Sequence, residues 1–128
     1  MIHQNCLRYY QSIVYKDSFA GLVDNDKEGI DIANHIKNGG KRARAIMMAN
    51  HGVTMIGSNC AEALEDLYYL ERAAMVQVLA MQAVKDPEKD LKEISPKMCE
   101  LTYKQINMYP EKTRYSESLF KAWKDAGR

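Results

Sequence analysis

The stretch Asn50-His51-Gly52-Val53-Thr54-Met55-Ile56-Gly57 decides the predicted fold. It joins two short apolar runs, Ala45 to Ala49 and Val53 to Ile56, each of the length that one strand needs. The three residues between the runs include asparagine and glycine, which tolerate tight turns. The pattern predicts a β-hairpin, or a sharp corner between two strands, with His51 at the turn.

A long helix is predicted directly after this hairpin. Asn59 can cap the helix, and Glu62 can reach back as in a capping box. The helix is expected to run from Cys60 to about Val84, before Asp86-Pro87 stops it. A spacing of about 100° per residue predicts an apolar face made of Cys60, Ala63, Leu64, Leu67, Leu70, Ala74, Val78 and Met81. The same spacing predicts an opposite, solvated face made of Glu62, Glu65, Asp66 and Arg72.

A strand followed by a helix is predicted upstream of the hairpin. Aromatic and β-branched residues over 7–23 favour strand, with turn residues dividing the segment and a second short apolar piece after them. Asp26 is expected to cap a helix that runs through Ile36 and ends at Asn38-Gly39-Gly40.

The segments downstream of the long helix read as a helical tail. Residues 85–95 form a charged connector, and helices are predicted over about 96–108 and 115–125. The last helix is expected to make its apolar contacts through Leu119, Phe120 and Trp123.

The bulk properties exclude several classes of protein. A chain of 128 residues with 46% hydrophobic and 27% charged residues is typical of one globular domain. A net charge of +1 indicates neither a nucleic-acid nor a membrane partner, and no apolar run has the length of a bilayer span. The N-terminal residues lack the apolar region of a secretory signal. Three widely spaced cysteines form neither a disulfide framework nor a metal knuckle, so a cytoplasmic location is expected.

His51 is the candidate site residue, with two interpretations. An imidazole at a turn beside glycine can bind a metal or act as a general base. It can also be a turn histidine bonded to nearby backbone, which spacing alone favours because a metal site needs three or four ligands. His3 lies at the N-terminus, and His35 is expected to be a cation near a helix end. No HxH, HxxxH or HExxH pair is present.

Glu71 is a second unusual residue, because it projects near the predicted apolar face of the long helix. A carboxylate in such a place acts either as a general acid or base, or as an anchor for a structural salt bridge. Its possible partners are Arg8, Arg42 and Arg44, and the structural role is favoured.

Three motifs together resemble the class II aldolase/adducin family. They are Asn50-His51-Gly52 with Gly57, Ala61-Glu62-Ala63, and Leu67 to Ala73; the earlier Gln4 to Tyr10 segment resembles the family as well. The resemblance covers residues 3–84, with 85–128 as a helical tail. It implies a three-layer α/β/α domain with a mainly antiparallel sheet, followed by C-terminal helices.

The resemblance also implies a chemistry. Enzymes of this family hold a divalent metal, usually zinc, with three histidines, and act as lyases or isomerases on small hydroxy-carbonyl compounds such as sugar phosphates. The third histidine precedes a glycine in an NHG motif, so His51 matches the third metal ligand. The other two ligands form an HxH pair, which this sequence does not contain.

The missing pair leaves several expectations open. Residues 1–128 then form a single, partial family domain that is not active alone. It is a fragment, a chain completed by a separate N-terminal chain, or a non-catalytic interaction module like the adducin head. A homo-oligomer is expected, and self-association or poor solubility is predicted for the isolated chain.

Overall fold

The computed structural model describes residues 1–19, 21, 26–108 and 112–127, with the side chains of 112–116 excepted. Its elements in chain order are a 3-10 helix (Gln4–Tyr9), β1 (Ile13–Lys16), α1 (Asp26–Asn38), β2 (Ala45–Met48), β3 (Gly52–Met55), α2 (Cys60–Gln82), α3 (Pro87–Asp90), α4 (Pro96–Asn107) and α5 (Lys112–Ala126). The chain forms two compact units. We call Gln11–Ile56 the sheet unit, and Met1–Tyr10 with Gly57–Arg128 the helical unit.

The sheet unit contains three strands in the order β1-β2-β3. Strands β2 and β3 pair antiparallel with Met48 opposite Gly52, which confirms the predicted hairpin. Strands β1 and β2 pair parallel with Ile13 opposite Ala45. A parallel pair needs a crossover, and α1 lies between these two strands in the chain and packs on both. The α/β class is therefore confirmed, and the described sheet is mixed.

The core of the sheet unit lies on β2 and the start of β1. Ala45 and Ile46 are completely buried, as is Ser12, whose carbonyl accepts hydrogen bonds from the amides of Arg44 and Ala45. The central strand thus carries the apolar run that the sequence indicates.

The strand prediction over 7–23 is correct for Ile13–Lys16 and wrong for residues 7–9. Those three residues belong to the 3-10 helix, whose first turn is capped by the His3 side chain accepting from the Asn5 amide at 3.3 Å. These residues form a 3-10 helix and not a strand because Leu7 and Tyr9 are buried against helices rather than along a sheet. The second apolar piece, around 22–23, lies outside the described residues.

Helix α1 begins and ends close to the predicted bounds. It starts at Asp26, so this residue lies in the first turn, and it extends to Asn38. Its end is a turn in which the Gly39 amide donates to the His35 carbonyl at 3.0 Å, and Gly40 takes a φ of +84°. Glycine adopts this left-handed conformation without a Cβ clash.

The start of α2 confirms the predicted Asn59 cap, but the Glu62 side chain bonds a different residue from the one that a capping box requires. The Asn59 side chain accepts a hydrogen bond from the Glu62 amide at 2.9 Å. The Glu62 carboxylate reaches back to the Ser58 amide at 2.8 Å, one residue earlier than a capping box requires. Gly57 fits the tight approach just before, because a Cβ there would lie 2.7 Å from the Ala63 amide nitrogen.

The predicted apolar face of α2 is wrong over much of its length. The residues that are buried are Ala61, Glu65, Asp66, Leu70 and Ala73. Cys60, Ala74, Val78 and Met81 are exposed, although they were expected in the core. Helix α2 carries apolar residues on most sides, so periodicity alone cannot choose its buried face. The choice follows from a cation, Arg8, that makes burial of two carboxylates possible.

The helical unit is completed by the tail. The predicted helices over 96–108 and 115–125 are confirmed as α4 and α5, and the connector contains the short helix α3. The 3-10 helix packs on α2 and α4, whose Cys99 is 2% exposed, and α5 packs on α2. The three cysteines are unpaired, as expected. None of the helices within the described ranges has the length and apolar character that a membrane crossing requires.

Candidate functional site

The turn between β2 and β3 presents His51 with a fixed backbone. The His51 amide donates to the Met48 carbonyl at 3.2 Å, which closes the turn. Asn50 has a φ of +56°, a left-handed value that asparagine tolerates better than most residues. Gly52 has a φ of +138°, which is open almost exclusively to glycine. The backbone conformation of the turn therefore explains why asparagine and glycine stand on either side of His51.

The turn lies at the carboxyl edge of the parallel strand pair. Strands β1 and β2 run in the same direction, so both end at one edge, with Lys16 opposite Met48. The Ala49 amide, two residues before His51, donates to the Lys16 carbonyl at 2.9 Å. In open α/β sheets, ligands bind outside the carboxyl ends of the strands. His51 is thus placed where this type of sheet forms its sites.

The imidazole of His51 is exposed and touches one aromatic ring. The edge of one ring meets the face of the other, with the Phe19 and His51 centroids 6.1 Å apart and the rings at 88°. This contact restricts the imidazole without using either of its nitrogens. Among the described side chains and backbone groups, we find no hydrogen bond to the His51 ring. The sequence leaves two interpretations of His51: a metal ligand or general base, and a turn histidine bonded to nearby backbone. The second interpretation requires a bond from the ring to backbone, which is not seen among the described residues.

The other two histidines are engaged in local structure. The Nδ1 atom of His3 accepts from the Asn5 amide, as part of the 3-10 helix cap. The Nδ1 atom of His35 lies 2.9 Å from the Asp31 carbonyl and 3.4 Å from its carboxylate, four residues earlier in α1. Within the ranges that the structure describes, no three His, Cys, Asp or Glu residues come together in a metal-binding group. His51 is therefore a single candidate ligand.

Lys16 is a buried cation next to this edge that the sequence did not single out. Its side chain is 4% exposed, and its Nζ atom lies 3.5 Å from Asp31 and 3.7 Å from Glu28, both on α1. The same atom donates to the Ser18 carbonyl at 3.2 Å. These contacts hold α1 against the end of β1, and they occupy the ammonium group. A lysine at the last position of a strand, followed by an acidic helix, was the available signal.

The expected role of Glu71 at a buried position is wrong. Glu71 is exposed on α2, and the buried carboxylates are its neighbours Glu65 and Asp66, each 1% exposed. Arg8 binds both, from Nη2 to Glu65 and from Nη1 to Asp66, at 2.9 Å each. The predicted arginine partner of a buried acid on this helix is therefore correct for Arg8, but the acids are different ones.

Two further contacts complete the cluster around Arg8. Its guanidinium lies 4.2 Å from the centre of the Tyr69 ring, as in a cation–π contact. The Tyr9 hydroxyl donates to the Asp66 carbonyl at 2.5 Å. Every one of these groups is used in joining the 3-10 helix to α2, so the cluster is an anchor for the fold.

The fold of this chain is similar to that of solved structures of the aldolase II superfamily. An aldolase II superfamily protein from Pseudomonas syringae has a TM-score of 0.75 and 18% identity, covering 98% of this chain and 48% of that one. An L-fuculose 1-phosphate aldolase from Glaciozyma antarctica PI12 has a TM-score of 0.63 and 18% identity, covering 97% of this chain and 44% of that one. This chain therefore spans less than half the length of either neighbour, and the likeness concerns the fold alone.

The sequence itself carries the family assignment. No curated protein matched the chain. Residues 1–78 match the model of the Class II Aldolase and Adducin N-terminal domain. The match covers more than half of the chain, including the 3-10 helix, the sheet unit and most of α2. The chain therefore belongs to the class II aldolase and adducin N-terminal domain family.

Proposed function

We propose that this chain supplies one metal ligand, His51, to a class II aldolase-type site that residues outside this chain complete. The observation that carries the proposal is the difference between His51 and its two neighbours in the turn. Asn50 and Gly52 have backbone conformations that explain their presence. The His51 side chain is exposed and makes only an edge contact with Phe19, so its imidazole nitrogens are available to a ligand.

The chemistry of the donor suits a divalent metal. Imidazole nitrogen is a common ligand of zinc, and a zinc site needs three or four such donors. His51 fits as one of them, and the remaining donors must come from another polypeptide or segment. A divalent metal supplies Lewis acidity, which favours loss of a proton next to a carbonyl. The proposed substrates are small hydroxy-carbonyl compounds of the sugar-phosphate kind, and the proposed reaction is carbon–carbon cleavage or isomerisation.

The proposed role of Phe19 is to limit the rotation of the imidazole, since its ring stands against that of His51. The proposed setting is a reducing cytoplasm, which the three unpaired cysteines support.

Proton exchange in heavy water tests the proposal, because it detects reversible loss of a C–H proton next to a carbonyl and needs no net cleavage of a carbon–carbon bond. The tagged chain is purified from its own cells with whatever polypeptides accompany it. It is then incubated with small hydroxy-carbonyl compounds, and deuterium incorporation is followed by NMR. We expect incorporation that a chelator abolishes and that His51→Ala abolishes as well.

The matched control is His35→Ala, which removes a histidine of the same unit whose ring is bonded to Asp31. This variant should exchange protons at the rate of the unchanged protein. Undiminished exchange in His51→Ala would contradict the proposed ligand role. No exchange in the unchanged assembly would contradict the proposed catalysis.

The alternative function is a non-catalytic oligomerisation or interaction module of the adducin-head type. The observation that favours it is the exposure of apolar side chains on α2, with Met75, Val78 and Leu79 each more than half exposed. Under this alternative, His51→Ala leaves partner binding intact, whereas a charge introduced at Met75 weakens it. Loss of partner binding in His51→Ala would exclude the alternative.

A further inference from the structure

Phe19 contacts His51 from a position that the fold does not bury. Its side chain is 50% exposed. Its ring stands at 88° to the imidazole, with the two centroids 6.1 Å apart. Close packing on all sides fixes the ring of a buried aromatic residue, and a half-exposed ring lacks part of that packing. The position of the Phe19 ring therefore depends strongly on the backbone that carries it.

The backbone just before Phe19 is held by the ammonium group of Lys16. The Nζ atom donates to the Ser18 carbonyl at 3.2 Å and to the Ser18 hydroxyl at 3.3 Å. The Ser18 carbonyl belongs to the planar peptide unit that joins Ser18 to Phe19. A donor that fixes this carbonyl also fixes the direction in which the chain enters Phe19.

The ammonium group of Lys16 is itself held by helix α1. Its Nζ atom lies 3.5 Å from the Asp31 carboxylate and 3.7 Å from that of Glu28. The Lys16 side chain is 4% exposed, so water competes little for its contacts. Lys16 therefore presents a fixed donor to Ser18.

The backbone of Lys16 holds the other segment of the ring contact. Lys16 is the last residue of β1, and its carbonyl accepts from the Ala49 amide at 2.9 Å. Ala49 lies two residues before His51, at the start of the turn. Lys16 thus bonds the His51 segment through its carbonyl and the Phe19 segment through its ammonium group.

We propose that Lys16 is a positioning residue for the His51 imidazole, acting through the Ser18 peptide and the Phe19 ring. One residue fixes both of the segments whose rings meet. The consequence for metal binding rests on the proposed ligand role of His51, whereas the positioning of the ring does not.

Pinning α1 to β1 does not account for all the contacts of Lys16. That structural role needs only Glu28 and Asp31. Of the four acceptors around Nζ, however, the Ser18 carbonyl lies nearest. Asp31 is also 48% exposed and lies 3.4 Å from Nδ1 of His35, so it is shared with another group. The bonds to Ser18 are thus the part of the arrangement that the structural role leaves unexplained.

NMR of the full chain with ring-13C histidine tests the positioning without any metal. The protein is purified from its own cells with whatever polypeptides accompany it, and His51→Ala identifies the His51 signals. Phe19→Leu removes the aromatic ring whose magnetic field shifts the neighbouring imidazole protons. Lys16→Met should move the His51 signals in the same direction as Phe19→Leu does. Added to Phe19→Leu, Lys16→Met should cause little further change at His51.

Matched variants separate this effect from a general loss of structure. Lys37→Met removes an exposed lysine of α1 and should leave the His51 signals unchanged. Lys16→Met leaves Glu28 without its cation, so it is also made together with Glu28→Gln. Glu28→Gln alone keeps the ammonium group and its bonds to Ser18, and should leave the His51 signals unchanged. Circular dichroism of every variant verifies the fold.

Zinc binding in the same assembly, measured with metal buffers, gives a second readout. Lys16→Met should weaken zinc binding roughly tenfold, as expected of substitutions that act through the neighbours of a ligand. His51→Ala should abolish it, and Lys37→Met should not change it. Undiminished zinc binding in His51→Ala would refute the proposed ligand role, while the NMR comparison would still decide the positioning.

Two results would overturn the positioning proposal. One is that the His51 signals stay unchanged when Lys16→Met is added to Glu28→Gln in a folded protein. The other is that the effects of Lys16→Met and Phe19→Leu on these signals are additive. In either case the Phe19 ring is held independently of Lys16, whose role is then confined to joining α1 and β1.

Discussion

The polar groups of the two units are used in opposite ways. In the helical unit, Arg8 is bonded to Glu65 and Asp66, and both acids are 1% exposed. In the sheet unit, His51 is exposed and no hydrogen bond to its ring is found among the described residues. The first group of residues is enclosed and held by two ion pairs, while the second is presented to solvent on a hydrogen-bonded turn.

This difference separates a structural role from a candidate functional one. A buried charge must have partners, since an uncompensated one costs several kcal/mol. The Arg8 cluster is therefore explained by the fold alone. An exposed imidazole has no such requirement, and the fold gives no reason for a histidine at position 51. The comparison predicts that stability depends strongly on the first group and weakly on the second.

The largest expected effect is that of Arg8→Met. It keeps most of the apolar stem but leaves Glu65 and Asp66 buried without their cation. We expect a loss of roughly 3–5 kcal/mol in the free energy of unfolding, as for other buried pairs that lose one partner. Urea denaturation followed by circular dichroism measures the change.

The control for this change is Lys97→Met, which removes an exposed cation from α4. Its effect should stay within about 0.5 kcal/mol, as for most surface substitutions. Adding Glu65→Gln to Arg8→Met should recover part of the loss, because one buried charge is removed. Equal effects of Arg8→Met and Lys97→Met would remove the basis of the comparison.

The next effect concerns the backbone of the His51 turn. Gly52→Ala places a Cβ on a residue with a φ of +138°, so it should destabilise the protein by about 1–3 kcal/mol. Gly29→Ala is the matched control, because it lies within α1 with no atom within 4 Å of the added Cβ. There the same methyl group should stabilise by about 0.5–1 kcal/mol, since alanine favours helix. Thermal melting of the pair tests the opposite signs.

A smaller effect is expected at the start of α2. Asn59→Ala removes the side-chain oxygen that accepts from the Glu62 amide, and should cost about 1 kcal/mol. Asn34→Ala, on the exposed surface of α1, makes the same chemical change without loss of a cap. If both variants melt at the same temperature, the cap does not hold the helix start.

The smallest expected effect on stability is that of His51→Ala. Only the edge contact with Phe19 is lost, so the free energy of unfolding should change by no more than about 0.5 kcal/mol. Urea denaturation beside Gly52→Ala, one residue away, provides the comparison within the same turn. A loss as large as that of Gly52→Ala would give His51 a structural role and weaken its assignment as a ligand.

Much of the fold could be predicted because it depends on local signals. The Asn50-His51-Gly52 turn, the Asn59 cap and the Asn38-Gly39-Gly40 helix end each lie within a few residues of the element they define. The 3-10 helix could not be predicted, because Leu7 and Tyr9 adopt it through burial against distant helices. The same holds for the buried face of α2, which depends on Arg8 some 57 residues away in sequence.

The candidate site divides in the same way. His51 could be singled out from the sequence because its turn is defined by three consecutive residues, Asn50-His51-Gly52. For Lys16 the sequence shows only a lysine at the end of a strand before an acidic helix, and its burial depends on Glu28 and Asp31 of that helix. The periodicity predicts a buried position for Glu71 because the helix is apolar on most sides, whereas the buried acids of α2 are Glu65 and Asp66.

The most direct test of the central claim is the divalent metal content of the chain purified from its own cells. Elemental analysis gives the ratio of metal to chain for the unchanged protein, His51→Ala and His35→Ala. The ligand role of His51 predicts that the unchanged protein and His35→Ala retain the metal, while His51→Ala loses it. Equal metal in all three, or none in the unchanged protein, would contradict the claim.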